Sequence, residues 1–244
     1  MPMRRSALAV LVSAVLLPAV VSPAAGKVPP GFFGVVPQAP LRESDFSRMR
    51  GMRLTVRVPV YWYEVEPRPG DYEFAALDRT VEEAARVGAS VLPVVFGTPS
   101  WLEPEPARPP LSRVGLRSWR AFLSRLVLRY GPGGEFLPGR ARSEPVRRWQ
   151  VWNEPNFPLF WRPWPSPPAY ARLLRAAAGA IRDHDPGATI VAAGVAPVEV
   201  GMAPWTFLRR MYRVPGVRSD FDVAALHPYA PYVAWVKEEI KLVR

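Results

Sequence analysis

Short apolar, β-branched runs alternate with longer amphipathic stretches along most of this chain, the pattern of βα units laid on a parallel sheet. Six such runs stand out. "FFGVV" (32–36) precedes "LRESDFSRMRGM", and "RLTVRVPV" (53–60) precedes "FAALDRTVEEAARVG", whose Leu77, Val81, Ala84, Ala85 and Gly88 fit one helix closed by a glycine. "SVLPVVFG" (90–97) is followed by "LRSWRAFLSRLVLRYG", and "RRWQVWNE" (147–154) by a helix over 168–183. The fifth run, "ATIVAAGV" (188–195), leads into "PWTFLRRMYR", and the sixth, "FDVAALHP" (221–228), into the helical stretch "YVAWVKEEIKLVR".

The fourth helix is the best delimited. Ser166 can cap it, Pro167 or Pro168 suits its first turn, and Tyr170, Leu173, Leu174, Ala177, Ala178 and Ile181 recur at helical spacing before "DPGA" stops it. "EPEPARPP" (103–110) and "PGGEFLPGRARSEP" (132–145) read as long surface loops. Trp119 and Trp149 fall at core positions.

Parallel alternation permits either a doubly wound sheet or an eight-fold barrel. The nucleotide-binding version of the former fails locally, because "GFFGVVPQAP" carries no G-x-G-x-x-G and puts a proline where a phosphate-binding turn would be. In a barrel the C-terminal strand ends share one face and carry the chemistry. Those ends hold Arg57 with Tyr61 and Trp62, then Thr98 and Trp101, then Asn153 and Glu154, and lastly His227 and Tyr229. The expected fold is α/β, a (β/α)8 TIM barrel with about six βα units present, in one domain over residues 26–244.

The first 25 residues change the picture of where the protein works. A basic start (Arg4, Arg5), an apolar stretch from Ala7 and a small-residue end follow the order of a cleaved secretory signal peptide, against the alternative of a retained membrane anchor. The expectation is an exported protein, secreted or in the cell envelope, with no membrane contact after cleavage. There is no cysteine, so no disulfide can staple it. Past Ala25 there remain 30 Lys and Arg against 21 Asp and Glu, a net charge of +9. The arginines are scattered, and no basic run has the aromatic interleaving of a nucleic-acid surface, so no nucleic-acid partner is expected. No histidine and carboxylate cluster has metal-ligand spacing, so neither a metal nor another cofactor is expected, and "YEVEPRPGDYEF" reads as the loop closing the second unit.

"WNEPN" (152–156), "VRVPVYWYEVEPRPGDYEFAALD" (56–78), "GTPSW" (97–101) and "HPY" (227–229) together resemble the retaining glycoside hydrolases of clan A, the barrel group that includes family 5 cellulases and family 39 xylosidases. The resemblance runs from about residue 31 onward, and "WNEPNFPLFW" looks closest to family 39. It implies that Glu154 is the general acid/base, that Asn153 contacts a sugar 2-hydroxyl, and that Arg57 buttresses the nucleophile. His227 and Tyr229 would line the same cleft, and a β-linked glycan would be the substrate.

Elementary chemistry fits these roles. A glycosidic oxygen leaves poorly unless protonated, so a carboxylic acid must stand beside it, and apolar neighbours such as Trp152, Phe157, Phe160 and Trp161 would favour its protonated form. Flat rings such as Trp62, Trp101, Trp161 and Trp164 can stack on sugar faces.

Retaining hydrolysis also needs a second carboxylate about 5–5.5 Å from the first. The resemblance places it on strand seven, and a barrel takes about 250 residues, so the expectation is a chain that stops after strand six without its nucleophile. Glu64, Glu66 and Glu199 follow strands and could reach the same face, while Asp222 begins strand six and should point away. The rival reading is a carbohydrate-binding or cell-envelope interaction protein that keeps the cleft without the reaction. Two open sheet edges would favour association.

Overall fold

The computed structural model describes residues 28–136 and 144–243; the segment read as a signal peptide, 1–25, lies outside them. Five strands form one parallel sheet: β1 (Gly34–Val35), β2 (Thr55–Tyr61), β3 (Ser90–Phe96), β4 (Arg148–Val151) and β5 (Thr189–Ala192). Each pairs only with its neighbours in sequence. A doubly wound sheet reverses its strand order at a switch point; this one runs β1 to β5 without reversal, so the alternation builds part of a TIM barrel.

The helices are α1 (Glu43–Met49), a one-turn α2 (Trp62–Val65), α3 (Ala75–Val87), α4 (Arg113–Tyr130), α5 (Pro167–Arg182), α6 (Pro204–Tyr212) and α7 (Val233–Val243). They pack as successive neighbours, α1 on α3, α4 on α5 and α5 on α6. On β2 the period of two is plain: Val56, Val58 and Val60 are buried in the main core, while Arg57, Pro59 and Tyr61 turn to the opposite, partly exposed face. Trp62 closes that core by stacking on Phe122 at 5.3 Å and lying 5.4 Å from Trp119. Fully burying such side chains contributes about 1.5–3 kcal/mol each.

The helix boundaries follow local chemistry. Gly88 closes α3 in the left-handed region, φ 75°, as expected of a glycine stop. Ser112 caps α4 by accepting from the Gly115 N–H at 2.9 Å. Ser166 stands at the N-cap of α5 but its side chain makes no capping hydrogen bond, contrary to expectation. Pro167 and Pro168 supply no N–H there, so the first turn has little for a cap to satisfy. All six residues expected on the inner face of α5 are buried, as are Trp119 and Trp149.

The sixth apolar run lies where a sixth strand would, but it is not a regular strand. It meets the end of β5 through two parallel bridges, Val191 with Val223 and Val195 with Leu226. Between them the Ala193 N–H goes to the Tyr170 hydroxyl and the Gly194 carbonyl accepts from the Glu154 N–H, so the backbone there serves other partners than a continuous ladder. About six strands were expected; the described residues hold five and this bridged extension. No helix among the described residues is long and apolar enough to cross a membrane.

Candidate active site

The backbone leaves β4 under strain. Trp152 has φ 72° and Glu154 φ 39°, both in the left-handed region that side chains with a Cβ avoid, at a cost of about 1–3 kcal/mol each. The surroundings hold both. The Trp152 N–H donates to the Val95 carbonyl at 2.9 Å and its indole to the Phe160 carbonyl at 2.7 Å. The Glu154 N–H donates to the Gly194 carbonyl at 3.1 Å. This kink turns Asn153 and Glu154 toward the partly exposed face that carries Arg57.

Arg57 reaches across from β2 with two donors. Its Nε donates to Gln150 Oε1 at 2.8 Å and one terminal nitrogen to Asn153 Oδ1 at 3.0 Å. Burial lowers the Arg57 pKa, while Tyr229 and Glu154 pull it back up. With its oxygen occupied, Asn153 keeps its amide N–H2 available for a ligand.

Glu154 is buried, and its Oε1 lies 2.7 Å from His227 Nδ1. The other edge of that imidazole faces the Gly194 backbone so closely that a Cβ there would stand 2.1 Å from Nε2. The short Nδ1–Oε1 contact has room for one shared proton: a ring protonated at Nδ1 donates to the carboxylate, and a ring deprotonated there accepts from the carboxylic acid. Tyr229 faces the same carboxylate. Burial raises its pKa first, then the charge of Glu154, with Arg57 opposing and a hydrogen bond to Glu154 adding to the rise. Its ring stays 69% exposed and lies 5.7 Å from that of His227.

The support behind these residues was not read from the sequence as such. Asn156, fully buried, donates to the Ala196 and Met202 carbonyls at 2.7 and 2.8 Å and accepts from the Ala196 N–H at 3.1 Å. It ties the loop after β4 to the loop after β5. Tyr170, expected only to fill the core, also donates to the Val151 carbonyl at 3.0 Å and accepts from Ala193 at 2.6 Å. Gln150 had a legible signal, a polar residue inside an apolar strand. Asn156 was legible only as the last residue of "WNEPN", and Gly194 had no signal.

Several expected positions fall elsewhere. Trp62 and Trp161, read as sugar platforms, are 0% and 1% exposed, so neither offers a ring face to a ligand. Trp62 points into the helix layer because it continues the buried parity of Val58 and Val60, and Trp161 packs edge-on against Trp152 and Tyr170. Trp101 is half-buried, edge-on to Trp62, with its indole donating to the Glu66 carbonyl at 3.0 Å. Trp164 is exposed.

The alternative carboxylates are equally clear. Glu66 is buried and committed, its two oxygens accepting from the Trp62 indole at 2.6 Å and the Gly70 N–H at 2.8 Å. Glu64, on α2, and Glu199, on the loop after β5, are exposed. Asp222 accepts from the Ile190 N–H at 2.7 Å, at the start of β5 and away from the site. Among the described residues no group of three or more His, Cys, Asp or Glu side chains is placed to hold a metal ion.

No protein-family model matches the chain, and no curated protein does. Solved structures do match. A family 39 glycoside hydrolase from Bacteroides cellulosilyticus WH2 superposes with TM-score 0.60 at 22% identity, over 82% of this chain and 38% of its own. A glucosidase from Croceicoccus marinus gives TM-score 0.60 at 18% identity, over 86% and 48%. A monomeric β-xylosidase from Caulobacter crescentus CB15 gives 0.55 at 18%, over 86% and 48%. At these identities the likeness carries the fold: the chain has the architecture of part of a glycoside hydrolase TIM barrel and spans about two fifths to half the length of the structures it matches.

Proposed function

We propose that this chain contributes the acid/base side of a retaining glycosidase site acting on a β-linked glycan, with Glu154 as the proton donor. One observation carries the reading. A buried glutamate at the C-terminal end of β4 is held by His227 Nδ1 at 2.7 Å, next to an asparagine held by an arginine from β2. A residue needed only for packing has no use for that set.

The roles follow from the geometry. His227 fixes the position of Oε1, and the Glu154 carboxyl group gives its proton to the glycosidic oxygen and later takes one from the attacking water. The free amide of Asn153 donates to a sugar hydroxyl, and Arg57 fixes that amide's orientation. Tyr229 adds a phenol to the edge of the cleft. The neighbours of the carboxylate are thus polar, and the aromatic wall of the sequence reading serves to hold its loop.

Double displacement requires a second carboxylate about 5–5.5 Å from Glu154. Among the described residues Glu64, Glu66 and Glu199 are exposed or otherwise bound, and the proposal assigns the nucleophile to a segment or chain beyond residues 28–243. That same observation favours a second reading, a glycan-binding protein on a barrel framework that does not cut. Export to the envelope or medium belongs to the proposal too and is read from residues 1–25, as is association through the open edges, where Phe32 and Phe33 stand exposed beside β1.

The test is hydrolysis of a panel of aryl β-glycosides by the purified chain and by Glu154→Gln, with the product of any downstream extension of the reading frame assayed in parallel. Activity in the extended protein that Glu154→Gln abolishes supports the assignment. Binding without turnover in both favours the non-cutting reading, and turnover that survives Glu154→Gln removes Glu154 from the chemistry.

A further inference from the structure

Beside the Glu154 site lies a second feature that the proposed reaction does not use. Tyr61, Tyr63, Phe96, Gly97, Leu159 and Phe160 line most of an open cleft of about 330 Å³ at the C-terminal ends of β2 and β3. That volume is within the range of small-ligand sites. Tyr61 ends β2 on the same side as Arg57, about 13 Å along the strand from it.

The walls are preformed. Tyr61 lies 4.9 Å from Phe96 and 5.3 Å from Tyr63, and Phe96 lies 6.1 Å from Phe160. Gly97, at φ 85°, leaves the space that the Tyr63 ring occupies, since a Cβ there would come within 2.9 Å of that ring. The Tyr63 N–H also donates to the Gly97 carbonyl at 3.1 Å. Yet the four rings are only partly buried, Phe96 alone of them packing against the core, and Leu159 is 58% exposed, a concentration of open apolar surface.

We infer that this cleft takes a flat aromatic group, and specifically the aromatic leaving group of a glycoside whose sugar lies at Arg57, Asn153 and Glu154. The chemistry of the walls selects the occupant. A pyranose brings several hydroxyls, each of which is costly to bury without a partner. The side chains lining this cleft offer only two tyrosine hydroxyls. A planar ring can lie offset or edge-on against the exposed faces of these rings without leaving hydroxyls unpaired. The position selects the leaving-group side. One wall is the loop that follows the acid, tied to it by the Phe157 N–H donating to the Glu154 carbonyl at 2.9 Å and the Phe160 N–H to the Phe157 carbonyl at 3.0 Å. A general acid stands beside the leaving oxygen, so the group attached to that oxygen extends along this wall. The attachment to a sugar rests on the glycosidase reading, whereas the affinity of the cleft for an aromatic ring does not.

The experiment compares, by calorimetry, phenyl and methyl β-thioglycosides of xylose, glucose and galactose on the full chain, which cannot be hydrolysed through an oxygen leaving group, together with 2-naphthol alone. Phenyl over methyl affinity of about tenfold is expected from burying one ring. Leu159→Asp, at an exposed position, and Tyr63→Ala should both bring that ratio toward one. A ratio near one in the unaltered protein, or a ratio that neither substitution moves, overturns the inference. If no glycoside binds at all, the attachment of the ring to a sugar at Glu154 fails by itself. In that case 2-naphthol binding weakened by Leu159→Asp still supports the aromatic cleft, and absent or unaffected naphthol binding overturns it.

Discussion

His227 Nδ1 lies 2.7 Å from Glu154 Oε1, and the far edge of the same ring rests against Gly194, where a Cβ would stand 2.1 Å from Nε2. The orientation of the candidate acid therefore depends on a missing side chain on β5's extension, a residue that touches no ligand.

Gly194→Ala is expected to push His227 off Glu154. Overpacking of this kind destabilises by about 1–3 kcal/mol, and the imidazole NMR chemical shifts of His227 should change as its contact with Glu154 opens. An unfolding midpoint and imidazole chemical shifts both equal to those of the parent would show that the ring is not confined by Gly194.

Asn156→Ala removes three buried hydrogen bonds between the loops after β4 and β5 and leaves two carbonyls and one N–H without partners. A loss of about 2–4 kcal/mol in urea unfolding is expected. The strained Trp152 and Glu154 backbone should show faster amide exchange than in the parent. Unchanged exchange at these residues would mean that other contacts hold the kink.

Glu66 separates a structural carboxylate from a chemical one. Glu66→Ala strands the buried Trp62 indole N–H and frees the Gly70 N–H to solvent, and should cost about 1–3 kcal/mol. Glu66→Gln keeps an acceptor and should lose less. If Glu66→Gln folds as the parent does but abolishes glycoside turnover, Glu66 takes part in the reaction and its assignment here is wrong.

Arg57 and Gln150 should prove coupled. Arg57 Nε donates to Gln150 at 2.8 Å while its terminal nitrogen holds Asn153. In a double-mutant cycle with Arg57→Lys and Gln150→Ala, glycan binding should show an interaction energy of about 0.5–3 kcal/mol. Additive losses would show that Gln150 does not set the arginine's geometry.

Alkaline pH should loosen the fold through two buried phenols. Burial raises the pKa of Tyr170, against the lowering effect of the Ala193 N–H. It raises that of Tyr130 as well, with the Asp78 hydrogen bond adding to the rise and Arg129 opposing. An unfolded tyrosine ionises near pH 10. Since the folded values are raised, the stability they contribute is complete below about pH 10 and is lost as pH rises toward the folded values, by about 1.4 kcal/mol per pH unit per residue. Urea midpoints between pH 9 and 11.5 should therefore fall, and Tyr170→Phe should flatten the slope. A slope identical in that variant would place the alkaline loss elsewhere.

Much of the architecture was legible because period-two apolar runs and period-3.6 stretches each encode a local geometry. Val56, Val58 and Val60 mark the buried face of β2, and Tyr170 through Ile181 that of α5, without help from any distant residue. The strand ends in turn nominated Arg57, Asn153, Glu154, His227 and Tyr229, and these do converge.

What the sequence by itself determined, then, was the βα order, the helix faces and the polar residues at strand ends, because each rests on contacts a few positions apart. The tertiary structure decided the rest. Whether a tryptophan is wall or core depends on which side of a strand end it leaves, and this turned Trp62 and Trp161 inward. Whether a carboxylate is held at the site depends on partners brought from elsewhere, which fixed Glu154 against His227. The ladder to the sixth run was interrupted because Tyr170 and Glu154 occupy the groups of Ala193 and Gly194 that lie between the bridges. Backbone partners and close approaches of this kind join residues 23 to 73 positions apart, and no local pattern records them.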